Sequence, residues 1–118
     1  MKPILIVDDD PGLQEMLQAT LEYEGYTVFI AEDGQKALAV AEQEHPGLVL
    51  LDLMMPRMDG RAFMAELERR GLRGEMAVLV VSADRHAKEI AEGLNVDGLI
   101  LKPFDVPEFM AAVHQMAR

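Results

Sequence analysis

Four short hydrophobic runs in this chain each lead directly into carboxylate, hydroxyl or ammonium side chains. The runs and the polar residues that follow them are Ile4–Val7 with Asp8 and Asp9, Leu48–Leu51 with Asp52, Val78–Val81 with Ser82, and Leu99–Leu101 with Lys102. In a parallel sheet, residues just past the carboxyl ends of different strands converge on one edge. Three carboxylates, a hydroxyl and an ammonium are therefore expected to share one crevice, a combination that suits a divalent cation and a phosphoryl group.

Apolar and amphipathic segments alternate five times along the chain, which predicts an α/β fold. The strand patterns lie near residues 3–8, 26–31, 48–51, 77–81 and 98–101, and the helical patterns near 11–24, 34–45, 60–70, 85–93 and 106–117. The last three strand patterns are apolar at nearly every position, as expected where helices cover both faces of a parallel sheet. A (βα)5 repeat with right-handed crossovers follows. The periodicity does not give the order of the strands.

Helix ends are marked by aspartate, glycine and proline. The candidate N-caps are Asp10, Asp33, Asp59 and Asp105, the last in a capping box with Glu108. Gly25 and Pro46 are expected to end the first and second helices. In the first helix, one buried face is predicted by the spacing of Leu13, Met16, Leu17 and Leu21.

Length and composition fit one domain with a substantial core. The chain has 118 residues, half of them hydrophobic, so it needs no disulfide or structural metal and is not expected to be disordered. The absence of cysteine excludes a disulfide scaffold, thiol catalysis and a cysteine-ligated metal site. The first strand pattern begins almost at the first residue, which leaves no room for a signal peptide, and no apolar run approaches the roughly 18 residues of a membrane span. We therefore expect a soluble, cytoplasmic domain without membrane insertion.

The net charge of −10 disfavours direct binding to nucleic acid or to an anionic membrane, since both reward positive surface. The basic residues are unevenly spread, however. Five arginines and three acids between residues 57 and 73 give that segment a net charge of +2 and the rest of the chain −12. This segment is either a solvated helix face with ion-pair partners or a docking patch for an acidic partner.

Asp8 and Asp9 are adjacent acids at the end of a buried strand pattern, where like charges repel one another. Asp10 is explained as a helix cap, but capping does not explain its two neighbours. A bound cation would remove the repulsion, and hard oxygen ligands suit Mg²⁺ or Mn²⁺. Asp8 and Asp9 therefore indicate a metal site.

The polar residues after the other strands have competing interpretations. An aspartate such as Asp52 is often a turn or cap residue, but Pro56 and Asp59 already supply those roles in the loop that follows. Ser82 is most simply a cap or turn residue. Lys102 is more informative, because a buried ammonium is costly unless it is paired with negative charge. The bond between Lys102 and the proline that follows it is also a candidate cis peptide.

Histidine and methionine have ordinary interpretations. Surface or capping roles are expected for the three histidines, which do not cluster: His45, His86 and His114. The nine methionines are most simply core filler, and an adaptable contact surface is an alternative for Met54, Met55 and Met58. Glycine-rich phosphate motifs are absent from the sequence.

The polar residues match a known family in order and spacing over the whole chain. The matching motifs are Asp8-Asp9, Asp52 with Met55-Pro56 and Asp59-Gly60, Ser82-Ala83, and Lys102-Pro103-Phe104. Together they resemble the receiver domain of two-component response regulators of the chemotaxis-regulator type. The resemblance implies a flavodoxin-like fold with strand order 2-1-3-4-5. We also expect a single receiver domain over residues 1–118, because the chain ends with the fifth helical pattern and no segment of it resembles an output domain.

The resemblance further implies a signalling switch whose catalysis is limited to its own phosphorylation and dephosphorylation. Asp52 would accept a phosphoryl group from a phosphohistidine on a sensor histidine kinase or a histidine phosphotransfer protein. Mg²⁺, or Mn²⁺, would be held by Asp9, Asp52 and the backbone carbonyl of Met54, while Asp8 would orient metal-bound water.

Lys102 and Ser82 would each bond a phosphoryl oxygen, by the same resemblance. The inward movement of Ser82 would shift its loop and change a surface that an unknown downstream protein target reads. One position departs from the family pattern, because Leu99 stands where an aromatic switch residue is usual. An aliphatic side chain has no polar tip to move between wet and buried positions.

Two other classes remain open at this point. In a haloacid-dehalogenase-like phosphatase, Asp8 and Asp10 would be the two acids of Asp-x-Asp-x-Thr. Gly12 stands where threonine or valine is expected, and the chain is short for that class. The other alternative is an interaction module that resembles a receiver but is never phosphorylated, which the departure at Leu99 would suit.

Overall fold

The computed structural model describes residues 2–55 and 58–117, and within them five strands alternate with five α-helices. The strands are β1 (Ile4–Val7), β2 (Val28–Ala31), β3 (Leu48–Leu51), β4 (Ala77–Ser82) and β5 (Gly98–Leu101). The helices are α1 (Pro11–Tyr23), α2 (Gly34–Glu44), α3 (Gly60–Arg69), α4 (Ala87–Leu94) and α5 (Val106–Met116). All strand pairs are parallel, in the order β2-β1-β3-β4-β5. The predicted flavodoxin-like α/β fold and its strand order are confirmed.

Side chains of each strand alternate between two hydrophobic clusters, one on either face of the sheet. One cluster joins β1, β3 and β4 to α2 and α3, and its buried residues include Leu5, Val49, Val78, Leu38 and Phe63. The other joins the same strands and β5 to α1 and α5, and its buried residues include Ile6, Leu50, Leu79, Leu17 and Phe109. Burial on both faces explains why the central strands are apolar at every position except Ser82, the last residue of β4.

A third and smaller cluster lies under α4. Its buried residues are Leu53, Val80, Ala87 and Ala91, and Ile90 and Leu94 of α4 are partly buried against them. Leu99 is partly buried against this cluster.

One of the four residues predicted on the buried face of α1 is not buried. Leu17 and Leu21 are buried and Leu13 is partly buried, but Met16 is 40% exposed. Neighbouring residues in an α-helix lie about 100° apart around its axis. Met16 is therefore turned away from the stripe that Leu13, Leu17 and Leu21 form.

The strand after α1 begins two residues later than predicted. The backbone N–H groups of Glu24, Gly25 and Tyr26 still donate to the carbonyls of Leu21 and Glu22, and Gly25 has a φ of 94°. A left-handed glycine of this kind typically closes a helix. These residues therefore belong to the end of α1 and not to β2. A one-turn 3₁₀ helix at Arg73–Glu75 was not predicted.

The helix caps follow the sequence signals closely. The predicted aspartates accept backbone N–H groups at the starts of α1, α2, α3 and α5. The helix α4 differs, because its N-cap residue His86 makes no side-chain capping bond. In the described part of the chain, no helix combines the length and the apolar character needed to cross a membrane.

Candidate functional site

The acidic residues after β1 and β3 lie together, as the strand register requires. Val7 pairs with Leu51 across the two strands, so the residues that follow each strand are neighbours. The backbone N–H of Asp52 donates to the Val7 carbonyl at 2.9 Å. Carboxylate oxygens of Asp8, Asp9 and Asp52 all lie within 4.8 Å of one another. The predicted convergence of the three acids is confirmed.

Lys102 reaches into the same crevice from the end of β5. Its Nζ lies 3.0 Å from Asp8 Oδ2 and 3.7 Å from Asp52 Oδ2, and its side chain is 21% exposed. The expectation that this ammonium needs negative partners is confirmed. The bond between Lys102 and Pro103 is cis, as the sequence suggested.

The carboxylates of Asp8 and Asp9 differ in how many of their oxygens are bonded. Both carboxylate oxygens of Asp8 are engaged, Oδ1 by the Asp10 N–H at 2.9 Å and Oδ2 by Lys102. Asp9 is exposed, and within residues 2–55 and 58–117 it makes no hydrogen bond or ion pair. Among the described residues, nothing engages the Asp9 carboxylate, whereas both carboxylate oxygens of Asp8 are already bonded.

Asp52 is 7% exposed, and burial raises the pKa of its carboxyl group. The Met54 N–H, which donates to Asp52 Oδ1 at 3.1 Å, and the charge of Lys102 oppose that rise in pKa. The negative charges of Asp8 and Asp9 add to it. The ionised carboxylate is therefore less favourable here than in water, and a bound cation would relieve that penalty.

The loop after β3 is held closely on one side by Gly60. The Gly60 N–H donates to the Leu53 carbonyl at 3.3 Å. A Cβ atom at position 60 would lie only 2.9 Å from Leu53 Cδ2 and 3.1 Å from Leu53 Cα, so glycine is needed for this approach. Asp59 caps α3 through the Ala62 N–H at 2.9 Å, as predicted. The turn role predicted for Pro56 lies outside the described residues.

Met54 and Met55 on this loop are placed differently. The side chain of Met54 is 63% exposed, whereas Met55 is buried in the cluster under α2 and α3. Met54 is therefore available for the adaptable contact surface considered for these residues, whereas Met58 is partly buried against the same cluster as Met55.

Ser82 is the last residue of β4 and is fully buried. Its hydroxyl accepts the Asp84 N–H at 3.1 Å, and its carbonyl accepts the Lys102 N–H at 2.8 Å. Ser82 is thus a turn residue in this structure and is also tied directly to the backbone of Lys102. This geometry is compatible both with a turn role for Ser82 and with a hydroxyl that bonds a phosphoryl oxygen.

Gln14 and Gly34 contact the site region, and we did not predict either contact. The side-chain amide of Gln14 donates to the backbone carbonyl of Asp8. A Cβ atom at Gly34 would lie 2.8 Å from the backbone oxygen and the Cβ of Met58, so α2 packs closely on the loop after β3. Neither residue stands beside the acids in the sequence, and contacts of this kind have no local sequence signal.

The basic segment forms ion pairs with neighbouring acids. Arg69 pairs with Glu66 at 2.6 Å, Arg70 with Glu42 at 2.7 Å, and Arg73 with Asp97 at 3.1 Å. These contacts favour a solvated, ion-paired surface over a docking patch. Arg57 lies outside the described residues.

The histidines do not converge, as predicted. Each lies near a different acid on the surface: His45 near Glu75, His86 near Glu89, and His114 near Glu24.

The donor set of the crevice fits a hard divalent cation. Three carboxylates offer oxygens within 4.8 Å, and no softer ligand accompanies them among the described residues. Oxygen donors of this type suit Mg²⁺ or Mn²⁺.

Residues 4–114 match the response regulator receiver domain family, and the chain belongs to that family. It is 38% identical over 120 residues to the DNA-binding dual master transcriptional regulator RpaA of Synechocystis. It is 36% identical over 117 residues to the alkaline phosphatase synthesis transcriptional regulatory protein PhoP of Bacillus subtilis. These alignments cover 100% and 99% of this chain but 50% and 49% of the relatives. The chain thus spans about half the length of these curated relatives.

Solved structures of receivers share the fold closely. Chemotaxis response regulator CheY4 of Vibrio cholerae is 25% identical with a TM-score of 0.89, and 98% of each chain is covered. Response regulator TrrA of Thermotoga maritima, solved with Mg²⁺ and BeF, is 29% identical with a TM-score of 0.86. That alignment covers 98% of this chain and 99% of TrrA. Membership of this family makes the chain part of a two-component signalling switch, and the phosphatase alternative is not supported.

Proposed function

We propose that Asp52 is the phosphoacceptor of this receiver domain, with a phosphohistidine as donor. The donor would belong to a sensor histidine kinase or a histidine phosphotransfer protein. One observation supports the assignment above the others: Asp52 is a buried carboxylate whose Oδ2 lies 3.7 Å from Lys102 Nζ and accepts no hydrogen bond among the described residues, whereas both oxygens of Asp8 are already engaged.

The chemistry follows from the residue types. An ionised Asp52 oxygen bonds to phosphorus as the bond from phosphorus to the histidine nitrogen breaks, and the departing ring takes up a proton. Negative charge spreads over the equatorial oxygens during such a transfer. Lys102 would then exchange part of its contact with Asp8 for a charge-assisted bond to one of those oxygens. The Ser82 hydroxyl would leave the Asp84 N–H and donate to another.

We further propose that Asp9, Asp52 and the carbonyl of Met54 hold Mg²⁺, or Mn²⁺ in its place, with Asp8 orienting the surrounding water. The open carboxylate of Asp9 and the engaged carboxylate of Asp8 support this division of roles. When bound, the metal ion neutralises part of the charge on the phosphoryl oxygens. The same groups would support slow self-phosphorylation by small phosphodonors and self-dephosphorylation.

Phosphorylation would switch contacts with a downstream protein target. The two curated relatives named above are transcriptional regulators, and one is described as DNA-binding. The net charge of −10 argues that residues 1–118 do not contact DNA themselves. Any effect on transcription would therefore pass through another domain or another protein.

Mass measurement after treatment with acetyl phosphate and Mg²⁺ tests the proposal. The wild-type protein should gain one phosphoryl group and Asp52→Asn none. Asp59→Asn is a matched control, because Asp59 is a nearby carboxylate that caps α3. No gain of mass by the wild type would point to an interaction module that is never phosphorylated. Repeated turnover of phosphoesters would point to a hydrolase.

A further inference from the structure

Gln14 connects helix α1 to both ends of the acidic turn at residues 8–10. Its side-chain Nε2 donates to the backbone carbonyl of Asp8, and its backbone N–H donates to the carbonyl of Asp10 at 2.9 Å. The side chain is partly buried and lies on the first turns of α1. A residue from the helix thus holds the turn that carries Asp8 and Asp9.

The bond from Gln14 differs in origin from the other bonds that hold Asp8. The Asp8 N–H donates to the Ala31 carbonyl at 3.2 Å within the sheet edge, and its carboxylate is held by Asp10 and Lys102. The carbonyl oxygen is bonded by the Gln14 amide. This one bond can therefore be removed without changing an acid or the lysine of the site.

The carbonyl of Asp8 bears directly on Asp9. The carbonyl of Asp8 and the N–H of Asp9 belong to one planar peptide unit, so fixing the oxygen also fixes the direction in which the chain enters Asp9. The Asp9 carboxylate has no partner of its own within the described residues. Within the described part of the chain, its position is therefore set by the backbone on either side, which Gln14 and the Asp10 cap hold.

We propose that Gln14 is a positioning residue for the metal site, acting through the peptide unit between Asp8 and Asp9. This inference rests on the metal site of the proposed function. Losing an outer partner that orients a metal ligand typically weakens metal affinity about 10- to 100-fold. For Gln14→Met, which keeps length and removes the donor, we expect the dissociation constant of Mg²⁺ to rise about 10-fold.

Calorimetric titration with Mg²⁺, on wild type and variants, tests the inference. Gln14→Glu is the second variant, because it adds a negative charge and removes the amide donor, and these two changes should alter Mg²⁺ affinity in opposite directions. Charge alone would tighten Mg²⁺ binding, whereas loss of the donor should weaken it. Gln18→Glu and Gln18→Met are the matched controls one turn further along α1, where the amide contacts only the exposed Glu22 at 3.4 Å.

A melting curve in chelator separates positioning from a purely structural role. The inference holds if both Gln14 variants bind Mg²⁺ more weakly than the matching Gln18 variants and melt within a few degrees of them. It is overturned if Gln14→Met lowers the melting point but binds Mg²⁺ as tightly as the wild type, or if Gln14→Glu binds more tightly. If the wild type itself does not bind Mg²⁺, the metal site is wrong and the inference falls with it.

Discussion

The acidic crevice at the ends of β1 and β3 and the side of the sheet under α4 are built in different ways. In the crevice, backbone and side-chain hydrogen bonds hold Asp8 and Asp52, and Lys102 contacts both carboxylates. The helix α4 has eight residues and no side-chain capping bond from its N-cap residue, and it packs through two buried alanines and the partly buried Ile90 and Leu94.

A cavity of about 270 Å³ lies beside α4 and β5, and Leu99 is among the residues that line it. Elements with few buried apolar contacts are those that rearrange at low cost. The comparison indicates that the acidic crevice is held rigidly, whereas α4 can rearrange at lower cost when the crevice changes.

The largest expected difference is in core stability. Phe63 belongs to α3 and is fully buried, and Phe63→Ala should cost about 3–5 kcal/mol of unfolding free energy. Ile90 on α4 is partly buried, so Ile90→Ala should cost about 1 kcal/mol. Chemical denaturation in chelator measures both, with Phe63→Leu as a control that keeps most of the volume. Equal losses at the two positions would show that α4 is anchored as firmly as α3.

The next largest effect concerns charge in the crevice. Mg²⁺ at 100 times its dissociation constant should add about 2.7 kcal/mol to the stability of the wild type by mass action. In chelator, Asp52→Asn should be more stable than the wild type at neutral pH, because it removes a buried carboxylate crowded by Asp8 and Asp9. Thermal melts of both proteins with and without Mg²⁺ test this. Identical melting points throughout would contradict it.

The sign of the pH dependence follows from the raised pKa of Asp52. The folded state keeps the proton to a higher pH than the unfolded chain, whose carboxyl has the ordinary value of 3.8. The metal-free wild type therefore loses stability as pH rises between the two pKa values, and the full penalty is present above the higher one. The advantage of Asp52→Asn should disappear below about pH 3.8. If Asp52→Asn were still more stable than the wild type below that pH, the cause would not be the charge of Asp52.

Lys102→Ala should weaken the response to phosphorylation and leave Mg²⁺ affinity nearly unchanged. Removing a charge-assisted bond to an ion typically costs about 1.5–3 kcal/mol, whereas the proposed metal ligands are other groups. Amide shifts around Ser82 in the phosphorylated protein measure the response. Lys36→Ala is the control, because Lys36 is an exposed lysine paired with Glu32. A normal shift around Ser82 in Lys102→Ala would make Lys102 a structural residue only.

The smallest expected effect is at Leu99. A beryllofluoride mimic on Asp52 should move the loop at residues 82–85 but change the α4 and β5 surface less than is usual for the family. A shift between two states needs contacts that differ between them, and Leu99 makes similar apolar contacts in both. Leu99→Tyr, which can fill the adjacent cavity, should enlarge the amide changes in α4. Large, concerted changes in the wild type that reach Leu99 would show that coupling does not need the aromatic residue.

Much of the fold and the crevice could be predicted because their signals are local. An apolar run followed by a polar residue fixes the end of a strand, and a parallel sheet brings such ends together. Aspartates at positions 10, 33, 59 and 105 cap helices through bonds that reach only two or three residues along the chain. Local rules therefore gave the positions of Asp8, Asp9, Asp52 and Lys102.

The predictions that failed depend on how elements pack against one another. The spacing of Met16 is typical of a buried helix face, but the apolar face of α1 that packs against the sheet is centred on Leu17. The contact of Gln14 with the Asp8 carbonyl and the close approach of Gly34 to Met58 depend on where helices lie in three dimensions. No window of the sequence contains that information.

The contact between Lys102 and Asp8 has a consequence for how the protein is made. In many small metal-binding domains the ion is needed to hold acidic or thiolate ligands together, and the chain unfolds without it. Here an internal counter-ion, supplied from the far end of the chain, partly neutralises the acids in the absence of metal. We therefore expect a newly synthesised chain to fold before it meets a metal ion, and an ion bound at the proposed site to add to the stability of a chain that is already folded.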